Sequence, residues 1–183
     1  EAPIITSPTS ATIPESYADD IYACTTSVTI NANEFEKKTV NMTLNLCLTS
    51  AKVHTKDPLP KEVKKFKMTV NEGKSPFTSL TFNPATGVAL SDASYSRTID
   101  VSSITGKTVT VTVKALLNEY PKFVSIKVSA LDADDVELYS RQFDNIELNR
   151  AKERLINTNL FTDGIDSDMS FEEWGSDDPI TIE

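Results

Sequence analysis

Hydrophobic and polar residues alternate along much of this chain. Val40, Met42, Leu44, Leu46 and Leu48 take the even positions, while Asn41, Thr43, Asn45 and Cys47 take the odd ones. Successive side chains leave a strand on opposite faces, so a period of two predicts a half-buried strand and argues against a helix. The pattern returns at Phe66, Met68 and Val70, at Val109, Val111 and Val113, at Val124, Ile126, Val128 and Ala130, and at Ile146 and Leu148. Tyr22, Cys24, Val28 and Ile30 supply a leading strand. Turn-forming residues separate the runs: Asp57-Pro58-Leu59-Pro60, Asn71-Glu72-Gly73, Asn83-Pro84-Ala85-Thr86-Gly87, Thr105-Gly106-Lys107 and Asp132-Ala133-Asp134-Asp135. Short strands, each with one apolar face, predict an all-β fold. They argue for an antiparallel sandwich or barrel, of which the expected form is a β-sandwich of Greek-key or transthyretin-like type with about seven to ten strands and at most one short helix.

Two segments depart from simple alternation. After Leu48 the apolar positions move from even to odd, with Ala51 and Val53 inside and Lys52, His54 and Lys56 outside. A one-residue change of phase exchanges the two faces, so a bulge or bend is expected near Thr49-Ser50, where a strand could cross between sheets. The second segment, Asn149 to Ile156, has good helix formers after an asparagine cap but no apolar stripe. One or two helical turns are the most it supports, and extended structure fits it equally.

Length and composition limit the architecture. The 183 residues suffice for one core, and no stretch approaches an uninterrupted apolar run of about 18 residues, which excludes a helical membrane span. The first fourteen residues, with three prolines and five serines or threonines, read as an extended tether rather than a signal peptide. The expected division is a tether over 1–16 and one domain over 17–183.

Charge is unevenly placed. Eight acidic residues and no basic one fall between Asp163 and Glu183, against a net charge of -9 for the whole chain. Lys52, Lys56, Lys61, Lys64, Lys65 and Lys67 form a basic run, but only Phe66 is there to stack on a base. A solvated strand face is the expected reading, with no nucleic-acid partner.

No constellation of residues points to a reactive centre, and an enzyme is not expected. His54 is the sole histidine, flanked by lysines, with neither a carboxylate to orient it nor a nucleophile beside it in sequence. Cys24 and Cys47 could pair, but alternation places them on opposite faces, where the required Cβ separation of about 4 Å cannot be met. One histidine and two distant cysteines do not supply a zinc site. The acidic stretch Asp163, Asp166, Asp168, Glu172 and Glu173 has the ligand type calcium wants but not the spacing of a helical calcium loop, so a solvated turn is expected and no metal or cofactor.

The run "NIELNRAKERLINTNLFT" followed by an acidic turn and "SFEEWGSDDPITIE" resembles the C-terminal signature of the Bacteroidales fimbrillin-like families. Asn145, Ile146, Leu148, Arg150, Asn159, Phe161, Trp174, Ile180 and Ile182 match that signature in kind. "YADDIYACTTSVTI" and "VNMTLNLCLTSAKVHTKDPLPKEVKKFKMTV" resemble earlier strands of the same families, so the likeness covers most of residues 17 to 183. It departs where the usual asparagine after the arginine is Ala151, the usual proline is Glu147, and the usual glycine is Thr158. The resemblance implies an exported, surface-exposed sandwich at the outer membrane, often a lipoprotein before maturation, serving as a fimbrial shaft, anchor or tip subunit or an adhesin. Its implied partners are other fimbrial subunits or surface proteins and host or bacterial proteins or glycans, with the membrane reached only through a lipid anchor outside this chain. Ile180, Thr181 and Ile182 would be a C-terminal strand of the kind that exchanges between subunits, but Pro179 shortens it to three or four residues, which favours an internal edge strand over an exchanging donor. The alternative is a carbohydrate-binding sandwich module, for which Trp174, Tyr95, Tyr120 and Tyr139 are the candidate aromatics.

Overall fold

Each alternating run for which the structure gives burial becomes a strand with its apolar set turned inward. The computed structural model describes residues 4–7, 10–12, 22–23, 45–70, 81–90, 95–162 and 167–173. Its strands are β1 (Ile4–Ser7), β2 (Ser10–Thr12), β3 (Tyr22–Ala23), β4 (Asn45–Leu46), β5 (Thr49–Thr55), β6 (Lys65–Val70) and β7 (Thr81–Asn83), then β8 (Val88–Ala89), β9 (Tyr95–Asp100), β10 (Thr110–Ala115), β11 (Lys122–Leu131), β12 (Glu137–Leu148), β13 (Lys152–Thr158) and β14 (Ser167–Glu173). No helix occurs among the described residues.

Two four-stranded sheets make the sandwich, one ordered β10-β5-β13-β14 and the other β12-β11-β6-β9. Phe66, Met68 and Val70 on β6 and Ile126, Val128 and Ala130 on β11 meet Ala51, Val53, Val111, Val113 and Ile156 from the facing sheet in one buried cluster. A smaller cluster of Leu46, Cys47, Leu48, Phe82, Ala89 and Leu116 lies under the sheet ordered β1-β2-β7-β8. The hairpin of β1 and β2 falls within the stretch expected to be a tether, and β2 pairs with β7.

The sandwich is not wholly antiparallel. β5 and β13 run side by side in parallel, from Ser50 opposite Glu153 to Thr55 opposite Thr158. Parallel neighbours finish at the same end, and the two exits are joined there. The Lys56 N–H donates to the Thr158 carbonyl at 2.8 Å. Asp57, itself buried, then accepts the backbone N–H groups of Leu160, Phe161 and Thr162 at 2.9, 2.6 and 2.9 Å. Three amides converging on one carboxylate satisfy it without a cation, because each N–H dipole places positive charge toward it.

Where register changes, the backbone shows how. The change of phase expected near Thr49-Ser50 occurs two residues earlier: β4 ends at Leu46, Cys47 and Leu48 are in no strand, and β5 begins at Thr49 in a different sheet. This corrects the placement of Cys47 on an outward face, since it is fully buried in the smaller cluster. A second change of phase went unforeseen. In β12, Val124 of β11 faces Ile146 and Ile126 faces Phe143, so an extra residue is accommodated, with Asn145 at φ 58°. That bulge lets Phe143 and Ile146, three apart, both point inward.

The segment from Asn149 is extended, as one of its two readings allowed. Flanking strands on both sides satisfy its backbone groups, which outweighs the helix propensity of Ala151, Lys152 and Glu153. Ala151 precedes β13 at φ 54°, in the left-handed region that asparagine and glycine tolerate better, and its N–H donates to the Leu48 carbonyl at 2.8 Å.

Two outcomes follow. Asp57→Ala leaves three amides without their acceptor and should lower the unfolding free energy by about 3 kcal/mol, read from urea denaturation with an unchanged slope. Ala151→Gly removes a Cβ from a left-handed position and should raise stability by about 0.5–1 kcal/mol. A loss in the same assay would show that Ala151 contributes more by packing than it costs in strain.

Candidate functional site

Sheet edges and loop ends of a sandwich are where its backbone and side chains remain available to other molecules. The two lateral openings between the sheets are treated differently here. On one side, Arg97 of β9 reaches across and donates from Nη1 to the Thr112 carbonyl of β10 at 3.0 Å. On the other, Arg141 of β12 donates to the Thr158 hydroxyl of β13 at 2.8 Å, and β14 continues its sheet beyond that strand.

Register therefore fixes what β14 presents. Met169 lies opposite the core residue Ile156, and Phe171 lies opposite Arg154, so both point to the face that further in is core. They are nevertheless 39% and 40% exposed. β14 is the last strand of its sheet, and its far edge carries no ladder among the described residues. An exposed edge with apolar side chains on its inner face is the arrangement that invites a further strand.

Beside this edge an open cleft of about 430 Å³ is lined by Tyr120, Pro121, Asn149, Arg150, Lys152 and Phe171. Its floor is rigid. The Tyr120 hydroxyl donates to the Cys47 carbonyl at 2.6 Å and accepts the Leu117 N–H at 3.1 Å. Burial pushes the Tyr120 phenol up to about 12, so it stays protonated and holds both contacts at any physiological pH. The Arg150 guanidinium stands 5.0 Å from the centre of the Tyr120 ring, and its Nη2 donates to the carbonyls of Thr86 and Gly87 at 2.9 and 3.3 Å. Those carbonyls belong to the turn between β7 and β8, so Arg150 also ties the smaller sheet to the sandwich. Arg154 lies 4.4 Å from the centre of the Phe171 ring.

The residues singled out from sequence fall into three groups. Trp174, Ile180, Thr181 and Ile182 lie outside the described residues, as do Cys24, Asp163 and Asp166 and the side chain of Tyr95. His54 is half-buried, with Nδ1 2.9 Å from the Thr110 hydroxyl, where a solvated ring was expected. Asp168 pairs with Lys56 at 2.7 Å and accepts from Asn157 at 2.6 Å, contacts that hold its carboxyl below the usual range; the Asn157 hydrogen bond is the larger cause. Among the described residues no group of His, Cys, Asp or Glu side chains is placed to hold a metal ion. Tyr139 packs edge-on against Phe161 with ring centres 5.4 Å apart and donates to Glu62, so it fills the sandwich margin. Of the two proposed aromatics whose side chains are described, Tyr120 lines the cleft and Tyr139 does not.

Sequence reasoning missed Phe171, Arg154 and the grouping around Arg150. The signal was partial: Lys152 and Arg154 of "RAKER" lie two apart, on one face of β13, while Arg150 sits in the turn before it.

The chain is similar to the crystal structure of a "putative cell adhesion protein" from Bacteroides ovatus ATCC 8483, at 17% identity and a TM-score of 0.49. The match covers 76% of this chain and 49% of that one, so the chain spans about half the length of that protein. No family model and no curated protein matches.

The floor of the cleft can be tested directly. Tyr120→Phe keeps the ring under Arg150 but strips the Cys47 carbonyl and the Leu117 N–H of their shared partner. It should cost about 1–3 kcal/mol of stability by chemical denaturation.

Proposed function

We propose that this chain is a non-enzymatic domain of the cell surface, a structural or adhesion protein of the fimbrial subunit, anchor or tip kind, that associates with other surface proteins through strand edges. The observation that carries this reading is β14: an edge strand whose Met169 and Phe171 face the core side of the sheet yet stand in solvent. Backbone groups along such an edge give an incoming strand affinity, and alternate side chains give it register. The likeness of "NIELNRAKERLINTNLFT" and "SFEEWGSDDPITIE" to fimbrillin-like signatures supports the same reading, because β13 and β14 are built from those residues. Charge narrows the partner. β14 carries Asp168, Glu172 and Glu173, so two copies paired antiparallel through this edge would set acid against acid, and a partner strand of different charge fits better.

The test is to display the full chain on an otherwise non-adherent bacterium and count cells retained by bacterial and epithelial layers. Retention above the empty-display control, reduced about tenfold by the inward-pointing charge of Met169→Lys, is expected. Retention equal to the control on every layer would remove the adhesive reading, and retention unchanged by Met169→Lys would remove β14 from it.

A further inference from the structure

On the outer face of the sheet ordered β12-β11-β6-β9, Phe123, Ser125, Lys127 and Ser129 of β11 all turn away from the core. Three are polar, as such a face requires, but Phe123 is 56% exposed. Among the described residues no ring and no guanidinium lies against it. One bare ring on a surface is ordinary, so its neighbours decide whether it has a partner. Glu147 of β12 stands directly opposite Phe123, where facing side chains have their Cβ atoms about 5 Å apart, and its Oε1 accepts from Asn149 Nδ2 at 2.9 Å. Further along, the bulge at Asn145 brings Asp144 to Ser125, whose hydroxyl bonds the carboxylate while Gln142 Nε2 donates to Oδ1 at 2.8 Å. These neutral donors, Gln142 the stronger, hold the Asp144 carboxyl below its usual range, so it stays charged at physiological pH. Several other acids have a cation: Glu153 has Lys52 at 2.6 Å, Asp168 has Lys56 at 2.7 Å, Asp135 has Lys65 at 2.7 Å and Glu137 has Lys127 at 3.0 Å. Neither Asp144 nor Glu147 has one among the described residues, and Lys127, the lysine on their stretch of the face, is the one held by Glu137.

We propose that this face receives an extended basic segment of a partner protein, with an arginine guanidinium laid on the Phe123 ring against Glu147 and a second basic side chain, two residues along, reaching Asp144. The inference stands whether or not the β14 edge takes a strand, because it uses the other sheet. The chemistry selects this ligand in three ways. A guanidinium stacks on an aromatic face and forks to a carboxylate at once, which neither an ammonium nor a neutral group does. Phe123 and Ser125 are two residues apart on one strand, so the two acids stand in successive rows about 7 Å apart, the spacing of alternate side chains in an extended peptide. Opposite charge completes the fit: a neutral ligand over two carboxylates strips their water without replacing it, whereas two cations compensate the loss. A saccharide would find a ring to stack on, but the Ser125 hydroxyl and the Gln142 amide beside it are already engaged by Asp144.

The experiment titrates the full chain at about 20 mM salt, by calorimetry and by amide chemical shifts, with the acetylated and amidated peptide Gly-Ser-Arg-Ser-Arg-Ser-Gly. Its citrulline counterpart keeps the planar side chain without the charge, and cellohexaose is the competing saccharide. The arginine peptide should saturate with a dissociation constant of about 0.1–1 mM and move the signals of Phe123, Ser125, Asp144 and Glu147, while the citrulline peptide should bind about tenfold more weakly or not at all. Phe123→Ser, Glu147→Gln and Asp144→Asn should each weaken binding about fivefold while melting remains cooperative, since all three side chains lie on the outer face. Asp134→Asn removes a charge from the hairpin at the far end of the same two strands and should leave binding unchanged, as should Met169→Lys at the β14 edge. No saturation by the arginine peptide overturns the proposal, as does equal binding of the citrulline peptide, tighter binding of cellohexaose, shifts confined to other residues, or full binding by both Phe123→Ser and Glu147→Gln. An equal loss on Asp134→Asn also overturns it, because the attraction would then be to net charge alone.

Discussion

Because β5 and β13 run in the same direction although about a hundred residues separate them, the sheet they anchor cannot be a chain of hairpins, and the rest of the sandwich is arranged around that fact. Ser50 and Glu153, 103 residues apart, meet in a 2.8 Å hydrogen bond at one end of the pair. At the other end the Asp57 carboxylate gathers the three amides that follow β13. Between these ends, Val53 and Ile156 stand side by side in the core. β10 on one flank and β14 on the other extend a sheet whose centre is already set.

The same pair explains why one lateral opening of the sandwich is available and the other is not. β13 needs a neighbour on its outer side, and β14 supplies it, but the facing sheet ends at β12. Met169 and Phe171 thus have the orientation of core residues without a layer above them among the described residues. The turn into β13 brings Arg150 beside Tyr120, and the strand itself carries Arg154 over Phe171. Cleft and open edge are two results of one overhang.

The strands were legible in the sequence wherever alternation was regular. Phe66, Met68 and Val70, or Val109, Val111 and Val113, could be assigned to the core from spacing alone, and all six are buried. What spacing could not give was the partner of each strand. Nothing in "TSAKVHT" or "KERLINT" says that they lie parallel, because strand pairing is decided by the whole core and not by either segment. The bulge at Asn145 hid Phe143 from a two-residue period, and the break at Cys47-Leu48 reversed the face assigned to Cys47. Asp57 was read as a turn residue from "DPLP"; its role depends on amides 103 to 105 positions away. For the cleft, "RAKER" fitted a helix and an extended chain equally, and Arg150 and Arg154, four apart, fall on one face of either, so spacing could not choose between them.

The distance along the chain between β5 and β13 also fixes an order of events during synthesis. Residues 49–55 leave the ribosome well ahead of their inner neighbour in the sheet, which does not exist until residue 158 has been made. Between the making of residue 115 and that of residue 158, β5 can have β10 on one side only, so Val53 and its neighbours wait beside a vacant edge. Local contacts cannot close such a sheet early, which makes folding slow and leaves the nascent polypeptide open to premature aggregation.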